Sequence, residues 1–387
     1  PQPADGAERD DEPGRRLLHL PSDLERALEQ ITLPELRAMH RAPHADADKP
    51  SVHDFVAARL DRNYAAAHRT LSEARARLPT FAPTRVLEFG AGLAPVTWAA
   101  RAVWPELHPL SVAVEPNHDL RHVAAELITA AGEDPPHVSW QATLPAADDA
   151  PFDLVSAAFC LDALPVSALR SALVSLWART AVGGLLTLLH PATPAGFSTT
   201  LTARELLGVG GVDGAVEHAR IISPCPHAGR CPLAQGDAAH PWEGAKGAKH
   251  RRRPSACYAE QKVVESSARQ YAERARRRGR ERRNAVERYS YLIVQRLDGA
   301  SGGHDDAHAS EDTAEWGRIV RPPRVRSKHV MLDVCTAGGE VVQEVVSKGK
   351  YEQPAYRRSR KAHVGDAWHV CEGPEDEEAP DTTGASR

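Results

Sequence analysis

Between residues 85 and 190 the sequence alternates between short apolar runs and longer amphipathic stretches. The apolar runs are of strand length and comprise RVLEF followed by a glycine turn (Arg85–Gly92), SVAVE (Ser111–Glu115), FDLVSAAF (Phe152–Phe159) and GGLLTLLH (Gly183–His190). The stretches between them, such as PVTWAARAVW and VSALRSALVSLWART, have the periodicity of helices. Strands and helices that alternate at these lengths predict parallel βαβ units, and therefore an α/β fold with a doubly wound sheet.

The regions on either side of this alternation have different patterns. Apolar residues recur every three or four positions from Ser51 to Leu78, which predicts a long helix. The later part of the chain is richer in loops, cysteine and arginine, with strand-like runs at YSYLIVQR and HVMLDVC. We therefore predict a flexible segment at 1–20, a helical region at 21–80, the doubly wound domain at 81–210, a partly β module at 211–370 with flexible loops at about 236–256 and 298–315, and an acidic disordered tail at 371–387.

The composition is that of a folded globular protein, with 42% hydrophobic and 26% charged residues. No apolar run approaches the roughly 18 residues that a membrane-spanning helix needs, so we expect no association with a membrane. Six cysteines in 387 residues are too few for a disulfide scaffold. We also expect no homo-oligomer.

The glycine turn after the first apolar run predicts a cofactor site. Glu88, Gly90 and Gly92 form an E-x-G-x-G pattern, and Glu115 ends the next predicted strand, where an acid typically binds ribose hydroxyls. This pattern suits S-adenosylmethionine better than NAD. Alanine stands at position 94, where a third glycine is usual, so the alternative is a methyltransferase-like fold that no longer binds its cofactor.

No residue has the surroundings of a catalytic group for methyl transfer. The third predicted strand ends in AAFCLDAL, which lacks the Asn/Asp-Pro-Pro-aromatic motif of amino-group methylation. We interpret Cys160 as a packing residue, because cysteine is among the most buried residue types and no proline follows it here. Asp162 and His190 are candidate bases with no motif around them, so the catalytic residues stay unassigned.

The segment SPCPHAGRCPL places Cys225 and Cys231 close together, each followed by proline. A disulfide, a zinc site, an iron–sulfur cluster and simple burial are all compatible with two cysteines. Structural zinc usually spaces its first ligand pair by two to four residues, although His227, His240 and His250 offer further ligands. Proline directly after a cysteine is known from iron–sulfur clusters. From the spacing alone we favour a metal site and leave zinc and iron–sulfur open.

Several motifs resemble those of a known family, the mitochondrial small-ribosomal-subunit methyltransferase-like proteins. The resemblance covers about residues 51–368 and is carried by SPCPHAGRCPL, CYAEQK, RYSYLIVQR, HVMLDVC and YRRSRKAHVGDAW. It implies an S-adenosylmethionine-methyltransferase-like fold, a [4Fe–4S] cluster with zinc as the alternative, and a location in the mitochondrial matrix. The partners that it implies are small-subunit ribosomal RNA and ribosomal proteins. By this resemblance, the cluster ligands fall on Cys225, Cys231, Cys257 and Cys335.

The sequence also departs from the family pattern. The gap between Cys231 and Cys257 is longer than expected, and His190-Pro191-Ala192-Thr193-Pro194 replaces Glu-Pro-Gly-Thr-Pro. The second departure and Ala94 both belong to the predicted cofactor site, whereas all four cysteines of the family pattern are present. We therefore expect the function to depend on the metal centre and the surface, with weak or no methyl transfer.

Basic residues are concentrated around the cysteines. Residues 244–296 contain 16 Lys/Arg and 5 Asp/Glu, a net charge of +11 in a chain whose overall net charge is −4. A single basic run is often only a solvated helix face, but several runs on one half of the chain are typical of phosphate-backbone binding. The predicted RNA-binding residues are Arg251, Arg252, Arg253, Arg276, Arg277, Arg278, Arg280, Arg282, Arg283, Arg357 and Arg358.

Three functions are compatible with these features. The first is a small-subunit protein or assembly factor that binds ribosomal RNA through a basic module held together by the cluster. The second is an active S-adenosylmethionine-dependent ribosomal RNA methyltransferase. The third is a redox or iron sensor in which occupancy of the cluster controls assembly.

Overall fold

The computed structural model describes residues 17–41, 51–132, 137–147, 149–162, 164–208, 218–234, 256–276, 284–298 and 316–369. The two loops and the tail that were predicted to be flexible lie almost entirely outside these residues. None of the helices within them is long and apolar enough to cross a membrane.

Eight strands form the first sheet: β1 Arg85–Phe89, β2 Leu110–Val114, β3 Val138–Gln141, β4 Phe152–Ala158, β5 Thr180–Pro191, β6 Ala219–Ser223, β7 Ala259–Val264 and β8 Asn284–Arg296. Their order is β3-β2-β1-β4-β5-β8-β6. Strands β1 to β5 are parallel, and β8 is antiparallel to β5. Because β8 has 13 residues, β6 pairs with its C-terminal half and β7 with its N-terminal half.

Helices cover both faces of this sheet: α1 Ser22–Arg41, α2 Val52–Arg77, α3 Pro95–Val103, α4 His118–Ala130, α5 Val166–Arg179 and α6 Pro194–Leu206. Helix α7 Ser267–Arg276 packs against α1 and α2, and α8 Gln353–Lys361 packs against the second sheet described below. Successive side chains of a strand point to opposite faces of the sheet, so alternate residues of each central strand pack into the cores on its two faces. Val86 and Leu154 pack with α1 to α4, whereas Leu87 and Val155 pack with α5 and α6.

Helix α2 is the longest helix among the described residues and is buried over most of its length. It begins with a capping box in which the Asp54 amide donates to Ser51 Oγ at 3.1 Å and the Ser51 amide donates to Asp54 Oδ2 at 3.2 Å. Farther along, Asp61, Arg69 and Glu73 are buried polar residues on this helix. Each of them has ionic partners on later segments of the chain, so α2 connects the two halves of the molecule.

Five short strands form a second, antiparallel sheet: β9 Trp316–Ile319, β10 Arg324–Val325, β11 His329–Cys335, β12 Val341–Ser347 and β13 Ala367–His369. Its core contains Ile319, Leu332, Val334 and Trp368, and it also includes Tyr356 from α8. A buried ion pair of 2.9 Å between Arg69 Nη2 and Asp366 Oδ1 joins this module to α2.

The structure confirms the predicted fold class: an α/β sheet with an N-terminal helical extension and a small C-terminal β module. The sheet is mixed rather than wholly parallel, since β8 reverses direction. Strand β8 starts at Asn284, five residues before the predicted run, and β3, β6 and β7 were not predicted. The division near residue 210 stays a prediction, but β6, β7 and β8 all follow it and extend the first sheet.

Candidate metal centre

Four cysteines from three separate segments of the sequence line one cavity between the two sheets. Cys225 and Cys231 lie in the loop after β6, Cys257 precedes β7, and Cys335 ends β11. All four are free thiols, and Cys231 and Cys335 are buried. The structure therefore brings together the four cysteines that the resemblance implies as ligands, and it does not pair Cys225 with Cys231 as a disulfide.

The turn after β11 brings Cys335 next to His227 in the loop that carries Cys225 and Cys231. Cys335 is the last residue of β11 and pairs with Val341 of β12, so it lies next to the tight turn between these strands. Gly339 in that turn has φ +81°, and a Cβ there would lie 3.4 Å from Nδ1 of His227. The close approach places His227 Nε2 3.5 Å from Cys335 Sγ.

The cavity is an unfavourable place for free thiolates. Burial raises the pKa of the Cys231 thiol to about 11 and that of Cys335 to about 12, and nearby cysteines add to both shifts. Burial also raises the pKa of Cys257 well above its ordinary value, with smaller contributions from the other three. A bound cation offsets such repulsion because coordination deprotonates the thiol. Among the described residues, no three His, Cys, Asp or Glu side chains are placed to hold a single metal ion.

Two buried arginines adjoin the thiols, and neither was identified from the sequence. Arg204 in α6 donates from Nε to Cys225 Sγ at 3.3 Å and from Nη2 to the carbonyl oxygen of His227 at 3.0 Å. Arg318 in β9 donates from Nε to the carbonyl oxygen of Pro224 at 2.9 Å and also pairs with Glu73. Neither arginine stands in a motif, so only the tertiary structure shows their proximity to the cysteines.

A second cavity, of about 540 Å³, lies at the carboxyl ends of β1, β2 and β4. Gly90, Gly92 and Glu115 line it, together with Arg59 and Asn63 from α2. The volume is in the range of small-molecule sites, and this edge of a doubly wound sheet is where ligands bind. The structure thus brings three of the four predicted cofactor residues to one cavity.

The fourth predicted cofactor residue, Glu88, does not line this cavity. Its carboxylate accepts hydrogen bonds from the amides of Val96 and Thr97, at 2.9 and 2.8 Å, and from the Thr97 hydroxyl at 2.9 Å. Burial raises the pKa of Glu88 to about 7, and these hydrogen bonds oppose the shift. Glu88 therefore stabilises the N-terminus of α3 rather than contacting a ligand.

The glycine turn is tightly packed. Gly90 has φ +63°, and a Cβ there would lie 2.5 Å from Cβ of Cys160. Ala94 also has a positive φ of 55°, so alanine occupies a left-handed position that favours glycine. Both oxygens of Glu115 accept backbone amides, from Gly92 and Asn117, each at 2.9 Å.

The candidate catalytic residues of the sequence have no catalytic arrangement here. The Cys160 thiol donates to the carbonyl oxygen of Phe89 at 3.2 Å, and burial raises its pKa far above the ordinary value, as suits a packing residue. His190 is fully buried, does not line the cavity, and has a pKa lowered to about 4 by burial.

Most of the predicted RNA-binding residues lie outside the described part of the chain: Arg251, Arg252, Arg253, Arg277, Arg278, Arg280, Arg282 and Arg283. Arg276 is the last residue of α7. The remaining two lie on α8, where Arg357 is exposed. Arg358 is half-buried, and its guanidinium carbon is 5.2 Å from the centre of the Trp368 ring.

Comparisons with known proteins agree with the resemblance. Human "Ribosome assembly protein METTL17, mitochondrial" (Homo sapiens) is 28% identical over 325 residues, which are 81% of this chain and 61% of the human protein. "Ribosome assembly protein RSM22, mitochondrial" from Saccharomyces cerevisiae is 29% identical over 180 residues, 38% of this chain and 28% of the yeast protein. The chain thus spans less than two thirds of the length of either relative.

A solved structure of an O-methyltransferase family protein from Burkholderia thailandensis covers 72% of each chain at 16% identity, with a TM-score of 0.31. That likeness is too distant to bear on function. The family model described as "Mitochondrial small ribosomal subunit Rsm22" matches residues 50–369, which is most of the chain. These matches confirm the predicted family and its mitochondrial location, and the chain belongs to the mitochondrial small ribosomal subunit family Rsm22.

Proposed function

We propose that the chain takes part in assembly of the mitochondrial small ribosomal subunit in the matrix, as a protein that binds ribosomal RNA and holds a [4Fe–4S] cluster. The observation that carries the proposal is the convergence of Cys225, Cys231, Cys257 and Cys335 on one cavity. The relatives named as ribosome assembly proteins support the process, and a basic surface supports the RNA partner.

The donor set suits an iron–sulfur cluster. Four cysteines are the usual ligands of a [4Fe–4S] cluster, and each binds a different iron, so the thiols need not meet at one point. The lining is otherwise largely apolar, with Phe197, Leu201, Leu233 and Val320, and this limits access of water. When bound, the cluster would add cross-links between the loop after β6, the residue before β7 and the end of β11.

Exposed basic residues gather at one end of the second sheet, which we call the basic end. The segments 321–329 and 347–361 contain ten Lys/Arg and one acid. They lie side by side, because the Lys348 amide donates to the carbonyl oxygen of Lys328 at 3.1 Å and Arg360 Nη1 donates to that of Arg326 at 3.0 Å. The exposed members of the basic end are Arg326, Lys328, Lys348, Lys350, Arg357, Arg360 and Lys361.

A surface of this charge favours a phosphodiester backbone, and its arginines can also stack on unpaired bases. We propose that the basic end acts together with the basic runs predicted at 251–253 and 276–283. For RNA binding of this kind, log Kd rises linearly with the logarithm of the salt concentration. The slope reports the number of phosphates that the protein contacts.

Anaerobic purification followed by iron, sulfide and zinc analysis tests the metal proposal. We expect about four irons and four sulfides per chain, and a broad visible absorption that is lost in Cys225→Ser. One zinc and no sulfide would replace the cluster with the zinc alternative. Neither metal nor sulfide in anaerobically isolated protein would refute the proposal of a metal centre.

A second candidate function is S-adenosylmethionine-dependent methylation of ribosomal RNA, which the 540 Å³ cavity at Gly90, Gly92 and Glu115 favours. Calorimetry with S-adenosylmethionine tests binding, and transfer of a labelled methyl group to small-subunit RNA tests catalysis. Transfer that is abolished by Gly90→Arg would establish the enzyme. Binding without transfer would support a cofactor pocket that serves only structure, which we expect because Ala94 has a positive φ and because neither Cys160 nor His190 is placed for catalysis.

A further inference from the structure

Arg204 is a buried arginine whose contacts all fall on the loop that carries two of the cysteines. It is 6% exposed and lines the cysteine cavity. Nε donates to Cys225 Sγ at 3.3 Å, and Nη2 donates to the carbonyl oxygens of His227 and Gly229. One guanidinium therefore fixes the sulfur of the first ligand and the backbone between the first and second ligands.

The charge of Arg204 has no carboxylate partner in the described residues. Arg318 on the same cavity is also buried, but it forms an ion pair with Glu73. A cation in a protein interior is strongly destabilising unless a negative charge offsets it, as the effect of breaking a buried ion pair shows. The groups that Arg204 does face are sulfur and carbonyl oxygens, so the missing negative charge belongs inside the cavity.

We infer that Arg204 is a positioning and charge-balancing residue for an anionic metal–thiolate centre at the four cysteines. This inference rests on the proposed cluster. Four thiolates outweigh the positive charge of an iron–sulfur core, so the liganded centre is anionic, and a guanidinium against one sulfur stabilises it. Net charge and hydrogen bonds to the sulfurs also set the reduction potential of such a centre, and removal of a positive donor makes the potential more negative.

Two variants can separate the charge of Arg204 from its hydrogen-bonding geometry. Arg204→Gln keeps some hydrogen-bonding capacity but removes the charge. Arg204→Lys keeps the charge but cannot reach the sulfur and two carbonyls together, because an ammonium lacks the planar fork of the guanidinium. Arg179→Gln is the matched control: Arg179 also donates to backbone carbonyls, of Pro145 and Ser175, but it lies on α5 away from the cysteines.

The experiment measures three quantities on the anaerobically purified chain: the iron and sulfide content, the rate of iron loss to a chelator, and the midpoint potential by redox titration. We expect Arg204→Gln to lose iron about 10-fold faster or more, a typical effect of outer-shell substitutions, and to titrate at a more negative potential. Arg204→Lys should keep a near-wild-type potential while losing iron faster, and Arg179→Gln should match wild type.

Wild-type potential and iron retention in Arg204→Gln would overturn the inference while leaving the proposed cluster intact. If Arg204→Gln yields no soluble loaded protein, the potential of Arg204→Lys decides. A midpoint potential of Arg204→Lys clearly more negative than that of the wild type, although the charge is retained, would show distortion of the loop rather than charge balance, and would refute the charge role. Wild-type protein with no iron and no sulfide would refute the proposed function, and the inference with it.

Discussion

Replacing Glu73 with glutamine tests the connection between α2 and the cysteine region. Glu73 is buried, and its carboxylate accepts hydrogen bonds from Ser223 Oγ at 2.7 Å and from the Tyr291 hydroxyl at 2.6 Å. It also pairs with Arg77 at 3.0 Å and with the buried guanidinium of Arg318. Because Arg318 holds the carbonyl oxygen of Pro224 beside Cys225, the carboxylate indirectly supports the loop that carries Cys225.

The expected loss of stability follows from the charge left behind. Removing one partner of a buried ion pair costs about 3–5 kcal/mol, and glutamine keeps an acceptor for some of the donors, so we expect the lower end, about 3 kcal/mol. The described part of the chain has about 280 residues. At about 2.1 cal/mol/K per residue, its unfolding entropy is roughly 0.6 kcal/mol/K, which converts the loss into a fall in Tm of about 5 °C.

Differential scanning calorimetry of the anaerobic protein measures this shift, with Glu106→Gln as the control. Glu106 makes the same type of contact with α2, an ion pair of 3.0 Å with Arg75, but both side chains are about half exposed. Such surface pairs contribute about 0–1 kcal/mol, so at the same unfolding entropy the Tm of the control should fall by no more than about 2 °C. A Glu73→Gln protein with the Tm of the control would refute the argument that the carboxylate is needed to offset Arg318.

The pH dependence gives the same prediction a second readout. Burial alone would favour the protonated acid, but Arg318 and Arg77 outweigh it and hold the pKa of Glu73 well below its ordinary value. A carboxyl whose pKa is lowered on folding stabilises the protein above its unfolded pKa of about 4.3 and loses that effect as the pH falls toward the folded value. The Tm difference between wild type and Glu73→Gln should therefore be constant near neutrality and narrow below about pH 4.

Further predictions concern the cysteines, the glycine turn and the basic end. Cys225→Ser should lose the bound iron, whereas Cys160→Ser should keep it, because Cys160 lies in the other cavity; metal analysis distinguishes the two. Gly90→Ala should lower the free energy of unfolding by about 2–4 kcal/mol through backbone strain and overpacking, against about 1 kcal/mol for Gly92→Ala, whose Cβ would meet nothing within 4 Å; chemical denaturation measures both. Lys328→Glu should weaken RNA binding and reduce the salt slope by about 1 or more, and an unchanged slope would exclude this residue from the contact.

The parts of the fold that the sequence predicts are those with strong local periodicity. Strands β1, β2, β4 and β5 are buried on both faces and are therefore continuous apolar runs bounded by glycine or proline. Strands β6 and β7 carry polar residues and are stabilised by pairing with β8, which comes later in the chain. Such pairing is a long-range contact, and the local sequence contains no signal for it.

The candidate sites divide in the same way, into residues marked by a local pattern and residues placed by long-range contacts. The cysteines are visible in the sequence because thiols, prolines and spacing form a local motif that a family shares. Arg204 and Arg318 are 21 and 94 residues from the groups they contact in the cysteine loop, so no local pattern marks them. Glu88 was predicted to contact a cofactor because an acid precedes the glycines, but the N-terminus of α3 supplies free amides that bind its carboxylate.

Helix α2 explains why the two cavities belong to one structural unit. Its first half contributes Arg59 and Asn63 to the cavity at the glycine turn, and its last turns contribute Glu73 to the network beside the cysteines. At 1.5 Å per residue, the 26 residues of this helix extend about 39 Å, which spans both sites. If the second half were a dispensable addition to a catalytic domain, the ionic contacts of α2 would stay within the first half. Here the buried charges of α2 pair with residues of the second half, so we expect that loss of these pairs destabilises the packing of α2 on the first sheet as well as the surroundings of the cysteine cavity.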